Sequence, residues 1–366
     1  MASDVESPIE RIAEHAMPVE PAAIEHEFDK IWTETSGSGG DASSVRLRVI
    51  NFVALGRDER ARERFDGVME VLPQRQPCRG ILASVYAERR QFEAAISAHC
   101  WRAGGGKRHL CSEEVTLSAG SNDEHALGSA VLALLVPELP VATWVIGEPD
   151  LSSHLVADLI EASDRVFVDT GEAADTAAAM RSVLAAHESK DTQLCDLAWY
   201  RLDAWRGLVA QFFDTEDGAR QLRRIQSIEI TSGADRSSSD ALLLAGWFVS
   251  SLGLSIADRG GSDGAIDATL YESSRPVSLR VVRGNETGIA ISAVVIQGPD
   301  VRFSVELHNE SGHIHVRQEW PDAPIHRAVA PEPIDDASIF IVALDDGLGS
   351  TLYMRALLSA LALLGD

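Results

Sequence analysis

A chain of 366 residues, 45% of them hydrophobic, carries enough apolar material for about two domains. Its 56 Asp and Glu against 32 Lys and Arg leave a formal net charge of -24. That balance argues against non-specific binding to nucleic acid or to an anionic membrane, since both need a basic surface.

In chain order, Met1-Ala2-Ser3-Asp4-Val5-Glu6 has neither a basic region nor an apolar stretch, so no secretory leader is expected. Residues 1–43 read as a flexible arm, with a short helix within 18–28 and a Ser/Gly linker over 35–40. A strand is predicted over 45–54 and a helix over 58–72, the latter through Ala61, Phe65, Val68, Met69 and Leu72. Next come a strand over 81–86 and two strands over 94–103 and 109–118, joined as a hairpin by Gly104-Gly105-Gly106-Lys107. Helices over 124–135, 151–162 and 176–186 then alternate with strands over 141–146 and 165–168. The alternation predicts a mainly parallel sheet covered on both faces, with the hairpin as an antiparallel edge. The longest apolar run, 130–147, contains Pro137, Glu138 and Pro140, which makes it a poor membrane span.

Polar residues over 188–191 place the boundary between an N-terminal α/β domain, 44–187, and a C-terminal α+β domain, 190–366. In the second domain a strand is predicted over 225–231, and Ser237-Ser238-Ser239-Asp240 can cap an apolar helix over 241–252 that should be deeply buried. Strands near 269 and over 278–282, 289–296 and 301–307, with a fifth over 313–318, read as an antiparallel meander. A helix over 353–364 closes the chain, so the fold class is α/β with two domains.

Tests for chemistry are mostly negative. Gly104-Gly105-Gly106-Lys107 lacks the Ser or Thr and the earlier glycine that a P-loop requires, and it lies between strands. No G-x-G-x-x-G follows a first strand, so no nicotinamide cofactor is expected. The cysteines at 78, 100, 111 and 195 form no C-x-x-C pair, which fits a reducing cytoplasm and no zinc site. Cys100 and Cys111 lie on the two hairpin strands, where they form a candidate redox pair. Cys111 near His109 and Glu113 lacks an orienting acid and reads as structural, not as a nucleophile. His313 and His315 share a strand face and, with His308 nearby, are the weak metal candidates. Asp164 and Asp169 bracket a short strand and read as caps, so no catalytic residue is assigned.

The most unusual segment is 196–214, DLAWYRLDAWRGLVAQFFD. At about 100° per residue, it sets Trp199, Leu202, Trp205, Leu208, Val209, Phe212 and Phe213 on one half of a helix, with Arg201 and Arg206 inside the apolar arc. An arginine so placed must snorkel, stack on an indole or find a carboxylate. Internal bridging is one reading. The other is a partner face built of Trp199, Arg201, Trp205 and Arg206, because Trp and Arg are enriched at interface hot spots. Trp247 reads as core.

This segment resembles the D-L-x-W-x-R-L-x-x-W-R-x-L-x-A-x-x-F-D signature of the glucose-6-phosphate dehydrogenase assembly protein family, OpcA. Similar runs follow the family order: Cys111-Ser112-Glu113-Glu114-Val115, Leu134 to Trp144 (LLVPELPVATW), Asp164 to Thr170 (DRVFVDT) and Leu242 to Phe248 (LLLAGWF). Cys78 and the single tryptophan at Trp144 depart from the pattern. The resemblance implies a non-catalytic assembly factor or allosteric activator of glucose-6-phosphate dehydrogenase in the oxidative pentose phosphate pathway, with that enzyme as partner. The runner-up is a sugar-phosphate- or nucleotide-binding enzyme or sensor using the crevice of the first sheet.

Overall fold

The computed structural model describes residues 10–11, 17–37, 44–89, 91–102, 109–151, 153–189, 192–234, 239–261, 265–308, 312–321, 324–330, 335–346 and 351–365. Two compact units result, Met1–Val168 with Lys190–Leu194, and Asp169–Ser189 with Cys195–Asp366. The chain therefore crosses from one unit to the other after the strand at 165–168, again within the polar stretch at 188–191 where the sequence placed the boundary, and once more after Leu194. Polar residues mark a chain crossing without saying to which core the preceding helix belongs.

The first unit contains β1 (Glu10–Arg11), β2 (Met17–Val19), α1 (Ile24–Gly37), β3 (Ser44–Arg46), β4 (Ile50–Gly56), α2 (Glu59–Arg75), β5 (Cys78–Tyr86), β6 (Glu93–Arg102), β7 (His109–Gly120), α3 (Glu124–Leu134), β8 (Val141–Val145), α4 (His154–Glu161) and β9 (Arg165–Val168). The chain leaves for α5 (Thr176–Ser189) and returns on β10 (Gln193–Asp196). The sheet runs β1-β6-β7-β5-β4-β8-β9-β10, with β2 on β6 and β3 on β7. β7, β5, β4, β8 and β9 are mutually parallel, and β6 is antiparallel to β7. The expected parallel sheet with an antiparallel edge is thus present. β4 is buried along its whole length, as a strand covered on both faces must be. α2 starts where Asp58 caps it and buries Ala61, Phe65, Val68, Met69 and Leu72, the predicted stripe.

The amino-terminal segment differs from the predicted arm. β2 pairs with β6, and α1 runs to Gly37, through the first part of the expected linker. α1 buries Ile24 and Phe28, and the Trp32 indole donates to Glu113 at 3.0 Å. Residues 38–40 of that linker lie outside the described residues, as does the predicted hairpin connection at 104–107. The predicted 45–54 strand is two strands, β3 and β4, which join different parts of the sheet.

Glu113, wholly buried on β7, pairs with Arg46, Arg48 and Arg79. Burial alone would raise its carboxyl, but Arg79, Arg46 and Arg48 hold it below the usual range. Arg79, 2% exposed, also pairs with Glu25 and donates to the carbonyl of Leu134 at 2.8 Å. A charge buried that deeply is tolerable only with such partners.

The second unit adds α6 (Leu197–Arg201), α7 (Asp203–Ala210), α8 (Glu216–Leu222), β11 (Ser227–Ser232), α9 (Ser239–Ser251), β12 (Ser255–Gly260), β13 (Ile266–Glu272), β14 (Arg275–Arg283), β15 (Ile291–Gln297), β16 (Arg302–His308), β17 (His313–Glu319), β18 (Ile325–Val329), α10 (Asp336–Asp345) and α11 (Thr351–Leu364). The strand order is β12-β13-β14-β11-β15-β16-β17-β18. The antiparallel meander is therefore interrupted. β11 inserts at the centre, parallel to β14 and antiparallel to β15. Ile228, Ile230, Leu279, Val281, Val294, Ile296, Phe303 and Val305 bury one face, while Glu229–Arg280 and Glu306–Arg317 ion pairs mark the other.

α9 and α11 cover the buried face at close range. A Cβ on Gly246 would lie 2.1 Å from the carbonyl oxygen of Ala356 and 2.9 Å from the amide of Ala360. Gly246→Ala is therefore expected to push the two helices apart and lower stability by about 1–3 kcal/mol, read as a lower urea midpoint. An unchanged midpoint would show that the helices do not approach this closely.

Candidate functional site

The tryptophan–arginine segment is two short helices. Asp196 caps α6, its carboxylate accepting from the amide of Ala198 at 3.0 Å. α6 ends at Arg201, and α7 begins at Asp203. Trp199, Leu202, Trp205, Leu208, Val209 and Phe212 are buried, as the predicted apolar half requires.

Both arginines are used internally. Arg201 bridges Asp240, at 2.7 Å, and Asp169. Burial works against its charge, but the Asp240 and Asp169 carboxylates more than restore it and push its pKa up. The Arg206 guanidinium lies 3.5 Å from the centroid of the Trp199 ring, donates to the Trp199 carbonyl at 2.7 Å and pairs with Asp203. Burial brings its pKa down to about 10. Trp199 and Trp205 are 3% and 5% exposed. The expected partner face of Trp199, Arg201, Trp205 and Arg206 is thus corrected: these side chains are spent within the unit, one arginine on carboxylates and the other on an indole.

Behind them sits a buried polar centre that sequence reasoning saw only in fragments. Asp196 accepts from the Thr170 amide at 3.1 Å, the Thr170 hydroxyl at 2.7 Å and the Tyr353 hydroxyl at 3.1 Å. Burial and the neighbouring Asp169 carboxylate push Asp196 up to about 7, against the Thr170 and Ala198 hydrogen bonds. Asp169 accepts from the amide of Gly171 at 2.9 Å, and Ser239 donates to the Thr170 carbonyl at 2.7 Å. The cap readings of Asp164 and Asp169 agree with this. Asp164 accepts from the amide of Val141 at 2.8 Å. Nothing in the sequence pointed to Tyr353, which reaches Asp196 across 157 positions.

In the first unit, a crevice of about 330 Å³ opens at the carboxyl ends of β4 and β8, lined by Gly56, Arg57, Asp58, Gly147 and Leu155 among others. This is where open parallel sheets hold a dinucleotide. The residues do not fit one. Asp58 fills the amino end of α2, accepting from the amide of Ala61 at 3.0 Å, and Glu59 follows it. A pyrophosphate would meet two carboxylates where it needs free amides. A Cβ on Gly56 would lie 2.1 Å from the Cβ of Ala61, so this glycine serves strand–helix packing.

Cys100 and Cys111 stand directly opposite in register, Cα atoms 4.1 Å apart, and are joined in a disulfide. That excludes Cys111 as a free nucleophile and runs against the reduced state expected from a reducing compartment. Cys78 and Cys195 are free and buried, and burial pushes Cys78 up to about 12. His315 finds its neighbours across the sheet. Its ring stacks on His308 at 4.0 Å, and its Nδ1 is 3.1 Å from Nε2 of His326. Among the described residues no group of three His, Cys, Asp or Glu stands placed to hold a metal, so His313 and His315 are not brought together as ligands. Trp247 is half-buried against Phe248, with ring centroids 4.9 Å apart. No described helix is long and apolar enough to cross a membrane.

Two family models match the chain in order. They are the glucose-6-phosphate dehydrogenase subunit N-terminal domain over 70–185 and the C-terminal domain of the same subunit over 192–357. Curated relatives include the OxPP cycle protein OpcA of Synechococcus elongatus, 28% identical over 185 residues, which covers 50% of this chain and 41% of that protein. The OpcA of Synechocystis is 28% identical over 191 residues, 51% of this chain and 39% of that protein. The chain thus spans about two fifths of the length of the curated relatives it matches. Among solved structures, a 3-ketoreductase from Actinomadura kijaniata, in complex with TDP-benzene and NADP, aligns with TM-score 0.52 at 11% identity, over 86% of this chain and 96% of that one. Levoglucosan dehydrogenase, in complex with NADH and L-sorbose, aligns with TM-score 0.51 at 12% identity and the same coverage. Likeness at this identity shows the fold alone.

Proposed function

We propose, from the premise that this chain belongs to the OpcA family of glucose-6-phosphate dehydrogenase subunits, that it acts by binding that enzyme in the cytoplasm and has no turnover of its own. The observation that carries this reading is the pair of family domains matched in order over most of the chain. Two features of the site support it. The fold is shared with nicotinamide-dependent oxidoreductases, yet the amino end of α2 is occupied by Asp58. The signature residues Arg201 and Arg206 hold the second unit together and offer no acid or base to a substrate.

The mechanism is differential binding. The chain binds the active conformation or oligomer of the dehydrogenase more tightly than the inactive one, and the activation it gives cannot exceed that difference in affinity. Its net charge of -24 suits steering toward a basic patch on the enzyme. The contact surface lies outside the buried tryptophan–arginine segment. The test titrates the purified chain into the dehydrogenase from the same cell, following initial rate against glucose 6-phosphate and particle size by light scattering. A saturable rise in rate, fall in KM or change in oligomer is expected. Flat responses in all three across a saturating range would overturn the proposal.

A further inference from the structure

A second cavity in the first unit, about 700 Å³, opens over the carboxyl ends of β5 and β7, beside the first turn of α2 and beneath β2. Its floor is unusual for a sheet face in an α/β unit. Where apolar side chains would meet a covering helix, Ser84 and Ser118 stand side by side in register, and Thr116 is two residues from Ser118 on the same face. The Ser84 hydroxyl is buried and has no hydrogen-bond partner among the described residues, an arrangement native proteins avoid unless something else completes it.

Two guanidiniums stand on this floor. Arg62 donates to the Thr116 hydroxyl at 2.9 Å, and Arg89 to the Ser118 hydroxyl at 2.6 Å. Each is already neutralised, Arg62 by Asp66 and Glu114, Arg89 by Glu93. Glu20 and Glu59 add further negative charge to the lining. Among the described residues the cavity therefore offers alternating fixed donors and acceptors without a surplus of positive charge. An anion gains little here, whereas vicinal hydroxyl groups, each both donor and acceptor, match the pattern. Tyr86, with Arg89 stacked 4.9 Å from its ring centroid, supplies an aromatic wall.

We propose that this cavity is a binding site for an uncharged sugar of one or two rings, with Ser84 and Ser118 as its floor and Arg89 as its principal donor. The site is separate from the α2 crevice and independent of the proposed dehydrogenase partnership, since its occupancy is measured on the chain alone. The experiment is saturation-transfer NMR on the full chain with D-glucose and maltose as probes, and inorganic phosphate and glucose 6-phosphate as charged controls. Transfer to at least one neutral sugar is expected, without displacement by equimolar phosphate. Ser84→Ala deletes an unpaired hydroxyl, so the variant should fold normally while binding weakens about three- to tenfold. Ala95→Leu, which fills the space beside Thr116, should abolish transfer. Three results would each overturn the assignment: no transfer from either neutral sugar, transfer indifferent to both variants, or tighter binding of glucose 6-phosphate than of D-glucose.

Discussion

Arg201→Ala is expected to destabilise the second unit by about 3–5 kcal/mol, the range for removing one member of a buried ion cluster. The loss is large because of what stays behind. Asp169 and Asp240 are each about 1% exposed, and both look to the same guanidinium for their compensating charge. Without it, two carboxylates remain in a low-dielectric site. They must then take up protons or draw in water. Arg201→Lys should recover only part of the loss, because an ammonium cannot bridge two carboxylates with separate arms. The triple variant Arg201→Met with Asp169→Asn and Asp240→Asn should recover more, since it removes the uncompensated charges together with the cation. Urea unfolding of the three variants checks the ordering. A loss below about 1 kcal/mol for Arg201→Ala would mean that solvent reaches the cluster. By contrast, the double variant Arg201→Ala with Arg206→Ala, which would report a partner contact if this segment were an exposed face, is expected to fail in stability before it fails in affinity.

Much of the fold was legible because its signals are local. Apolar spacing at 61, 65, 68, 69 and 72 specified α2, and an Asp at its cap fixed where it starts. β5, β8 and β9 followed from short apolar runs with β-branched residues between turn signals, and β6 and β7 from the glycine run that separates them. What escaped depends on contacts made far along the chain. β12 and β18 are exposed edge strands carrying Asp258, Arg259, His326 and Arg327. Charge protects an edge from further pairing, and it also erases the alternation by which a strand is read. β11 looked like the first strand of a meander. Its central place between β14 and β15 is set by α9 crossing the sheet, which no short window records. α1 was weighed by its glycine and serine neighbours, although Ile24, Phe28 and Trp32 already stood at four-residue spacing. At the site, the sequence posed the right problem for Arg201 and Arg206 and named the possible solutions. Choosing among them required Asp169 and Asp240, 32 and 39 positions away.

Stability should also fall as pH rises through neutrality, and Asp196 is the group responsible. Its carboxyl titrates near 3.8 when solvated and is pushed up to about 7 in the folded chain by burial and by Asp169. Between those values the folded state holds a proton that the unfolded state has released. Stability rises with pH only where the unfolded state binds more protons, so here the sign is reversed. The contribution is full below about pH 4 and is lost as pH climbs through about 7. Its slope approaches 1.4 kcal/mol per pH unit at most, which sums to about 4 kcal/mol over the window. Asp196→Asn isolates the effect. The amide oxygen can still accept from Ala198 and Thr170, and the amide nitrogen can donate to the Thr170 and Tyr353 hydroxyls once they turn to accept. Urea midpoints at intervals from about pH 4 to pH 8.5 should converge at the acid end, separate steadily up to about pH 7 and stay apart above it, with the Asn variant the more stable at alkaline pH. Background carboxylates affect both proteins alike and cancel in the difference. Parallel curves would mean that the four hydrogen bonds to Asp196 keep it ionised in the folded state, and that the centre is held by charge rather than relieved by a proton.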